Sequence, residues 1–544
     1  MSPDRSAHHV GVTDRAAPLT RRATLGLAAA IALGLIARVA FLDRIPGIDG
    51  DEAWYGVNVQ VFLDGGTPFL STGVGNPLNP FHSLPLLALS AMLEPSAVTL
   101  RLPAVLWGFV AVLLAYPLLA GSVGPRAAMI TSVLLSLSPA AIGHSRFGWD
   151  PAATPLVCLL AVGFALANRP MAAAVSTLSA VVIHPANVFV VPIVLAAYAP
   201  TEFERFFALS DAFRRRLLAV AATLVAVVTL AVLWILDRLA ETPSTPVPSI
   251  ELVVQRALTP ASWADLFLGV LRLFSGVSTV ADMAGPIATQ ARMAPDLIVA
   301  IVLVASIAFG WRASGGKRGS TSAWLMGGIG VSLILFHIVA GPVMLQSGRE
   351  RYGLFLLAPT FIVCARGLDR AAESRPVWAR VGIMLLVVSF VGVMLGGYFY
   401  PYLARGGNAR AGLRSGAVDP KIAALEFVVA DSQPADVVSV IAEDWYAYWP
   451  LRYLAGGNQR VHVELMAGAS APGGLRPPGV PQPPYPHPPD KTYVVVFDSG
   501  AAWSRLRNEG RVPAFTAFDP AGRPILHVVS ATNGPPSTSP PRSF

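Results

Sequence analysis

Long runs of apolar residues constrain this chain more than any other feature of its sequence. A helix needs about 20 mostly apolar residues to cross a bilayer, and it must bond its own backbone amides because lipid cannot. Eleven runs are candidates for such helices. They are 23–42, 102–120, 128–143, 151–167, 171–183, 185–199, 217–236, 296–311, 323–341, 352–366 and 381–399. We therefore predict a polytopic α-helical membrane protein with about eleven transmembrane helices.

The composition agrees with this prediction. Apolar residues make up 54% of the 544 residues and charged residues only 13%, whereas soluble domains carry roughly 25% charged residues. These values exclude an ordinary soluble enzyme, a nucleic-acid-binding module and a disordered chain. The lipid bilayer is thus an expected partner and nucleic acid is not. The net charge of +8 is typical of a membrane protein with basic cytoplasmic loops.

Two adjacent runs leave the parity of the topology open. Runs 171–183 and 185–199 are short and meet at His184-Pro185, so they are either two tilted spans or one broken helix. With two spans and a cytoplasmic N-terminal segment 1–22, the inside segments hold 17 Lys and Arg in 77 residues, and the outside segments hold 9 in 142. Because cytoplasmic loops are enriched in these residues, we expect this orientation, in the cell inner (plasma) membrane, with the tail extracytoplasmic.

Two external loops interrupt the predicted transmembrane domain 23–399. Loop 43–101 contains Leu84–Leu93, which is apolar but too short to span and is therefore expected to be an interfacial helix. Loop 237–295 contains a similar amphipathic piece, Trp263–Phe274. On the cytoplasmic side, the strongest expected anchor is Arg214-Arg215-Arg216.

The tail is expected to form a small α/β domain over residues 400–532. Alternating apolar runs predict four strands. They are Val437–Ile441, Val461–Leu465, Tyr493–Phe497 and Ile525–Ser530. Helices are expected at 420–431, 443–455 and 499–509. Nine prolines among the 19 residues of 472–490 predict an extended linker, and residues 533–544 are expected to be disordered.

The residues most suggestive of chemistry form a cluster of acids just beyond the first span. Asp49, Asp51 and Glu52 lie within four positions, and an aromatic, helix-compatible run beginning at Trp54-Tyr55 follows them. Carboxylates this close raise the pKa of at least one member, which suits a general base. The alternative is a solvated loop, but the aromatic run would hold the cluster against the membrane face.

An ordered set of motifs carries a resemblance to a known family. Asp51-Glu52 and Tyr55 are followed by Arg101-Leu102-Pro103 at the start of a span and by Arg146-Phe147-Gly148-Trp149-Asp150 after the next external turn. In this order they resemble the GT-C membrane glycosyltransferases, and most closely glycosyltransferase family 39 with the protein O-mannosyltransferases and the aminoarabinose transferases. The resemblance is strongest across about 45–155 and weaker at Arg349-Glu350-Arg351-Tyr352.

The resemblance implies roles for individual acids. Asp51 would be the general base that removes the proton from an acceptor hydroxyl, and Glu52 would support it or orient a metal or the acceptor. Asp150 would lie near the same cleft. The implied donor is a sugar on a polyprenyl phosphate, and the implied product is inverted; the sequence does not identify the acceptor.

The phosphate of such a donor lies at the external membrane surface and requires cations. Arg349 and Arg351 lie together at the outer end of a span, and two guanidiniums suit phosphate geometry; plain interface anchoring is the alternative. Further substrate contacts are expected from Asp49, Tyr55 and Arg146. A divalent metal is the one cofactor left open, with His82 or His184 as a ligand, against the commoner structural role of a histidine at a helix end.

Two other functions are compatible with many spans. A transporter or flippase for a lipid-linked glycan usually needs ionisable groups near the bilayer midplane, whereas the middles of these runs are almost free of charge. A non-catalytic anchor that presents the tail would not need eleven spans. A glycosyltransferase is therefore the leading hypothesis and a transporter the alternative.

Overall fold

The protein is described from a computed structural model. The structure describes residues 19–66, 79–208, 250–284, 289–313, 321–341, 345, 349–404, 418–456, 458–466, 488–519 and 522–531. The predicted span 217–236, the anchor Arg214–Arg216, the tail 533–544, and most of segment 1–22 and of the proline-rich linker lie outside these residues.

Helices dominate the chain up to residue 404. The first nine are α1 Arg21–Val39, α2 Gly50–Leu63, α3 Pro80–Ser90, α4 Ala97–Val123, α5 Pro125–Leu137, α6 Pro139–His144, α7 Thr154–Leu166, α8 Pro170–Ile183 and α9 Val191–Ala208. The next eight are α10 Ile250–Leu258, α11 Pro260–Ser275, α12 Val277–Ala284, α13 Thr289–Ala313, α14 Thr321–Val339, α15 Leu357–Ser374, α16 Pro376–Gly392 and α17 Tyr400–Ala404. Short 3₁₀ helices cover Asp150–Ala153, Pro185–Val190 and Glu350–Leu356, and a π-helix covers Val393–Phe399.

Six helices within the described residues are long and apolar enough to cross a membrane. They are Arg21–Val39, Ala97–Val123, Met293–Gly310, Thr321–Val339, Glu350–Ser374 and Pro376–Ala404. Four shorter apolar helices cover Pro125–Leu137, Asp150–Leu166, Pro170–Ile183 and Pro185–Ala199. Each of these ten helices coincides with a predicted apolar run, so the chain is a multi-pass helical membrane protein. The count of eleven transmembrane helices stays a prediction.

The ambiguous stretch 171–199 forms two helices. Helix α8 ends at Ile183, and His184 adopts an extended conformation that begins the 3₁₀ turn Pro185–Val190 before α9. Pro185 explains the break, because proline disfavours helical conformation in the residue before it.

The two segments predicted to be interfacial are also helical, as α3 and α11. Helix α4 begins at Ala97, five residues before the expected start of its span.

The C-terminal part contains a five-stranded mixed sheet. Its strands are β1 Val438–Ala442, β2 Val461–Leu465, β3 Lys491–Phe497, β4 Phe515–Phe518 and β5 Pro524–Ser530, in the order β2-β1-β3-β5-β4. Strand β1 is parallel to β2 and β3, whereas β5 is antiparallel to β3 and β4. The helices are α18 Val418–Ala430, α19 Trp445–Leu454 and α20 Ala501–Asn508. Sequence patterns missed β4, a four-residue strand in which Ala517 is the one fully buried side chain.

Two large apolar cores and one small one lie within the described residues. The first fills the helix bundle, the second is shared between one end of the bundle and the sheet domain, and the small one packs α20 on β3 and β5. The shared core contains Ile48 and Trp54 from the segment between α1 and α3 and Trp445 and Trp449 from α19. The domain therefore packs directly on the loop that carries the acid cluster.

Candidate active site

A capping box at the start of α2 assigns different tasks to the three clustered acids. The Asp49 carboxylate accepts a hydrogen bond from the backbone N–H of Asp51 at 2.8 Å, and the Glu52 carboxylate accepts one from the N–H of Asp49 at 3.0 Å. Acids are favoured at this end of a helix because the first N–H groups lack backbone partners. Asp49 was expected to contact substrate, but it is buried at the cap. Asp51 retains a 37% exposed side chain.

Glu52 forms a buried ion pair with Arg101 of α4. Its two carboxylate oxygens lie 2.6 Å and 3.1 Å from the Arg101 guanidinium, and the N–H of Gly148 donates to one of them at 2.9 Å. Arg101 also donates to the carbonyls of Leu42 and Gly47. Both charged side chains are fully buried, so these bonds offset a desolvation cost of several kcal/mol per ion. Glu52 thus joins three segments of chain around the site.

Asp51, Asp150 and Arg351 converge at one end of the bundle. A guanidinium nitrogen of Arg351 lies 3.7 Å from the Asp51 carboxylate. Asp150 is half-buried in the turn before α7, and burial raises the pKa of its carboxyl to about 7, with the Arg351 charge opposing and the Asp51 charge reinforcing the shift. Loss of hydration and a neighbouring like charge both disfavour a second carboxylate. The site therefore contains an acid that titrates near neutrality.

Tyr55 lies one turn along α2 from Asp51 and is buried. Burial raises the pKa of its phenol, and the charges of Asp150 and Asp51 raise it further. The phenol is therefore a neutral hydroxyl group at physiological pH. Its ring packs edge-on against His82 at a centroid distance of 4.7 Å. Tyr55 thus lies beside the acid cluster, and its expected contact with substrate stays a prediction.

Arg351 is held by aromatic rings. Its guanidinium carbon lies 4.9 Å from the centre of the Trp149 ring and 5.2 Å from that of Tyr352. A guanidinium N–H of Arg351 also donates to the Tyr352 hydroxyl at 3.4 Å. Such cation–π contacts orient a guanidinium while leaving N–H groups available. Arg349 lies at the start of the same 3₁₀ helix and is exposed. Of the two arginines, only Arg351 lies beside the acids.

Arg146 has a buried position that its sequence context did not indicate. Its guanidinium donates to the carbonyls of Ala37, Ala40 and Ile45 and to the Tyr398 hydroxyl. It is 0% exposed, so the expected surface contact with substrate is replaced by a brace between α1, the first external loop and the π-helix. Unpaired carbonyls at the end of α1 explain why a guanidinium is needed there.

The two histidines considered as metal ligands are both buried or nearly so. Burial lowers the pKa of His82 to about 4 and that of His184 to about 3, the latter also through the Arg351 charge. His184 Nδ1 accepts from the N–H of Ala186, and its ring packs edge-on against Tyr352. Among the described residues, no group of three or more His, Cys, Asp or Glu gathers as a metal site. The Asp51 carboxylate already faces the Arg351 guanidinium.

Three aromatic groups belong to the site although no role was predicted for them. Trp149 and Tyr352 stand next to predicted residues in the motifs quoted above. His144 stacks on Trp149 at a centroid distance of 5.6 Å, and burial lowers its pKa to about 3, with the Arg351 charge as a second cause. Trp149 and Tyr352 could have been found from the sequence because they are adjacent to Asp150 and Arg351. No sequence signal indicated His144, since it is six residues from Asp150 in an apolar helix.

Comparison with known proteins finds similarity only in overall shape. No protein-family model and no curated protein matches the sequence. The chain is similar to an oligosaccharyltransferase of Archaeoglobus fulgidus in complex with Zn and sulfate, with 14% identity, a TM-score of 0.41, and coverage of 81% of this chain and 61% of the other. The chain thus spans less than two thirds of that protein.

A second similarity covers nearly the whole chain. ArnT from Cupriavidus metallidurans, bound to undecaprenyl phosphate, has 14% identity, a TM-score of 0.37, and coverage of 95% of this chain and 100% of the other. In its apo state the TM-score is 0.38 at 13% identity. Both kinds of protein are GT-C glycosyltransferases, the class that the sequence resembles.

Proposed function

We propose that this protein is an integral-membrane glycosyltransferase. It moves a sugar from a polyprenyl-phosphate donor to an acceptor hydroxyl on the extracytoplasmic face of the inner membrane. The observation that carries this proposal is the meeting of Asp51, Asp150 and Arg351 at one end of the helix bundle, with Asp51 partly exposed. A base and an oriented cation are the two groups that displacement of a phosphate requires.

Asp51 acts as the general base in this proposal. As the acceptor oxygen attacks the anomeric carbon, its proton passes to the Asp51 carboxylate. The bond from that carbon to the phosphate oxygen breaks, and its electron pair leaves with the polyprenyl phosphate. Attack from the face opposite the leaving group inverts the anomeric centre. Arg351, whose guanidinium is already oriented by Trp149 and Tyr352, binds the developing phosphate charge.

The remaining site residues position these two groups. Glu52 and Asp49 fix the start of α2 through the capping box, and Arg146 and Arg101 fix the segments around it. Arg349, exposed beside Arg351, would attract the donor phosphate at longer range. The described donor set offers two carboxylates, one of them facing a guanidinium, and does not fit a divalent metal, so no step is assigned to one.

The structure favours an enzyme over a transporter of the same lipid. In the part of the chain that the structure describes, the buried arginines near this end of the bundle are bonded to backbone carbonyls or to Glu52, rather than arranged along a path through the spans. Transport sites usually lie near the bilayer midplane. The acids here meet at the end of the bundle, where a polyprenyl phosphate headgroup resides.

The test is transfer from labelled polyprenyl-phosphate sugars in membranes. Asp51→Asn keeps the shape of the side chain but removes the base, and we expect transfer to fall by at least about 10²-fold while membrane insertion persists. Asp64→Asn is the matched control, because Asp64 is an exposed acid at the other end of the same helix. Full transfer by the Asp51 variant would refute the assignment.

A further inference from the structure

The sheet domain contacts the helix that carries Asp51. Tyr453 of α19 lies with its hydroxyl 3.1 Å and 3.2 Å from the backbone N and O of Ser96, and its carbonyl accepts from the Gln60 side chain of α2 at 3.4 Å. A Cβ added at Gly50 or Gly56 would overlap Trp445 or Tyr453. Helices α2 and α19 therefore meet through glycines that allow large aromatic side chains to lie against the backbone.

Lys421 of α18 lies at the centre of this contact. It is 0% exposed, and its ammonium donates to the carbonyl of Ile48 at 2.8 Å, across 373 positions of sequence. Ile48 immediately precedes Asp49, the cap of α2. An ammonium is costly to bury unless it is paired and bonded, so a lysine at this position indicates a specific interaction and not simple packing.

The charges around Lys421 come from both domains. Burial lowers its pKa to about 8. Asp49 and Glu52 at the start of α2 and Asp444, the cap of α19, act to raise this pKa, and Arg101 acts to lower it. Asp444 caps α19 by accepting from the N–H groups of Tyr446 and Ala447 at 2.9 Å. Lys421 thus lies near the acidic caps of two helices, one in each domain.

We propose that Lys421 is a positioning residue that docks the C-terminal domain onto the first external loop and thereby fixes the start of α2, where Asp51 lies. The docking itself stands on the contacts above, whereas the consequence for catalysis rests on the proposed function of Asp51. The domain is on this view a structural part of the active site. The two parts of the proposal need separate experiments.

Lysine acetylation tests the docking without any assay of activity. The chain has three lysines, of which Lys421 is buried and Lys491, in the same domain, has a 37% exposed side chain. A water-soluble acetylating reagent followed by peptide mass spectrometry should modify Lys491 at least about tenfold faster than Lys421, because Lys421 reacts only after local opening. Equal acetylation rates of Lys421 and Lys491 in the protein without substitutions would overturn the docking.

A substitution that disrupts the contact between α2 and α19 provides the matched comparison. Gly50→Ala places a methyl group against Trp445, and we expect acetylation of Lys421 to approach the rate of Lys491. Gly26→Ala adds the same methyl group where nothing lies within 4 Å and should leave Lys421 protected. Protection that persists in the Gly50 variant would show that Lys421 is shielded by its own domain alone, against the proposal.

Steady-state kinetics test the positioning. In Lys421→Met we expect kcat for transfer to fall about 10- to 100-fold, since a displacement of about 1 Å at a reacting group has effects of this size, with the half-saturating donor concentration nearly unchanged. Lys491→Met should retain normal kinetics. An unchanged kcat, or a rise in the half-saturating donor concentration alone, would overturn the positioning role. If Asp51→Asn remains active, the proposed function fails while the acetylation result still stands.

Discussion

At the scale of single residues, environment separates groups that look equivalent in the sequence. Asp49, Asp51 and Glu52 are neighbours, yet two of them accept hydrogen bonds at the start of α2, while the third faces Arg351 with a partly exposed side chain. Arg349 and Arg351 are separated by one position, yet Arg349 is exposed and Arg351 contacts two aromatic rings. Chemical roles therefore follow from position in the fold.

The pH dependence of transfer should report Asp150. Its pKa of about 7 means that the carboxyl is neutral below pH 7 and ionised above it. Ionisation places a negative charge near Asp51, which strengthens Asp51 as a base, so transfer should rise as pH increases through about 7. Asp150→Asn should abolish this rise. A rise that survives in the variant would assign the titration to another group.

Donor affinity should depend on the two arginines to different extents. Arg351→Gln is expected to raise the half-saturating donor concentration about 10- to 100-fold, because a hydrogen bond to a charged group contributes about 1.5–3 kcal/mol. Arg349→Gln should have a smaller effect that disappears at high salt, as long-range attraction is screened. Arg44→Gln, an exposed arginine paired with Asp43, serves as the control. Equal effects at Arg349 and Arg351 would contradict the assignment.

At the scale of elements, buried guanidiniums link the helix ends around the candidate site. Arg38 donates to carbonyls of Gly34 and Ser136, Arg101 to Leu42 and Gly47, and Arg146 to three carbonyls around the end of α1. Apart from the Gly34 carbonyl inside α1, these carbonyls lie at helix ends or in turns, where a backbone partner within the same helix is lacking. The three arginines therefore bond neighbouring helices and turns to one another.

The Glu52–Arg101 pair should be essential for stability. Glu52→Gln leaves a buried guanidinium without its counter-charge, and breaking such a pair costs about 3–5 kcal/mol of the free energy of unfolding. We expect a marked fall in Tm in detergent. Asp43→Asn breaks an exposed pair whose side chains are 57% and 66% accessible, and such a pair contributes at most about 1 kcal/mol. Similar Tm values for the two variants would show that the buried pair is dispensable.

At the scale of the whole molecule, the helix bundle and the sheet domain share one apolar core. Aromatic residues of α19 pack against α2, and Lys421 bonds to the loop before it. The domain and Asp51 must therefore lie on the same side of the membrane. The orientation of the tail is thus linked to the location of the active site.

A topology reporter tests this link. Alkaline phosphatase fused after Phe544 should be active, because it folds only on the extracytoplasmic side and we expect the tail to lie there. A fusion at Gly124, the junction of α4 and α5, should be inactive because we expect this junction on the cytoplasmic side, and it serves as the control. An inactive fusion after Phe544 would place the domain, and with it Asp51, in the cytoplasm.

The sequence by itself determined the apolar helices and much of the acid cluster. Runs of about 20 apolar residues have one stable solution in lipid, and Asp49 and Glu52 have the spacing of a capping box. The sequence also indicated four of the five strands, because alternation of apolar and polar residues is a local pattern. It did not indicate β4, which is only four residues long and has one buried side chain.

Only the tertiary structure decided which side chains meet. Glu52 pairs with Arg101, 49 positions away, Arg351 reaches Asp51 across 300 positions, and Lys421 binds Ile48 across 373. Burial and neighbouring charge then set the pKa of Asp150 and the roles of Arg146 and Arg349. These properties depend on distances in space between segments that no local pattern relates, whereas helix formation depends on residues within a few turns of each other.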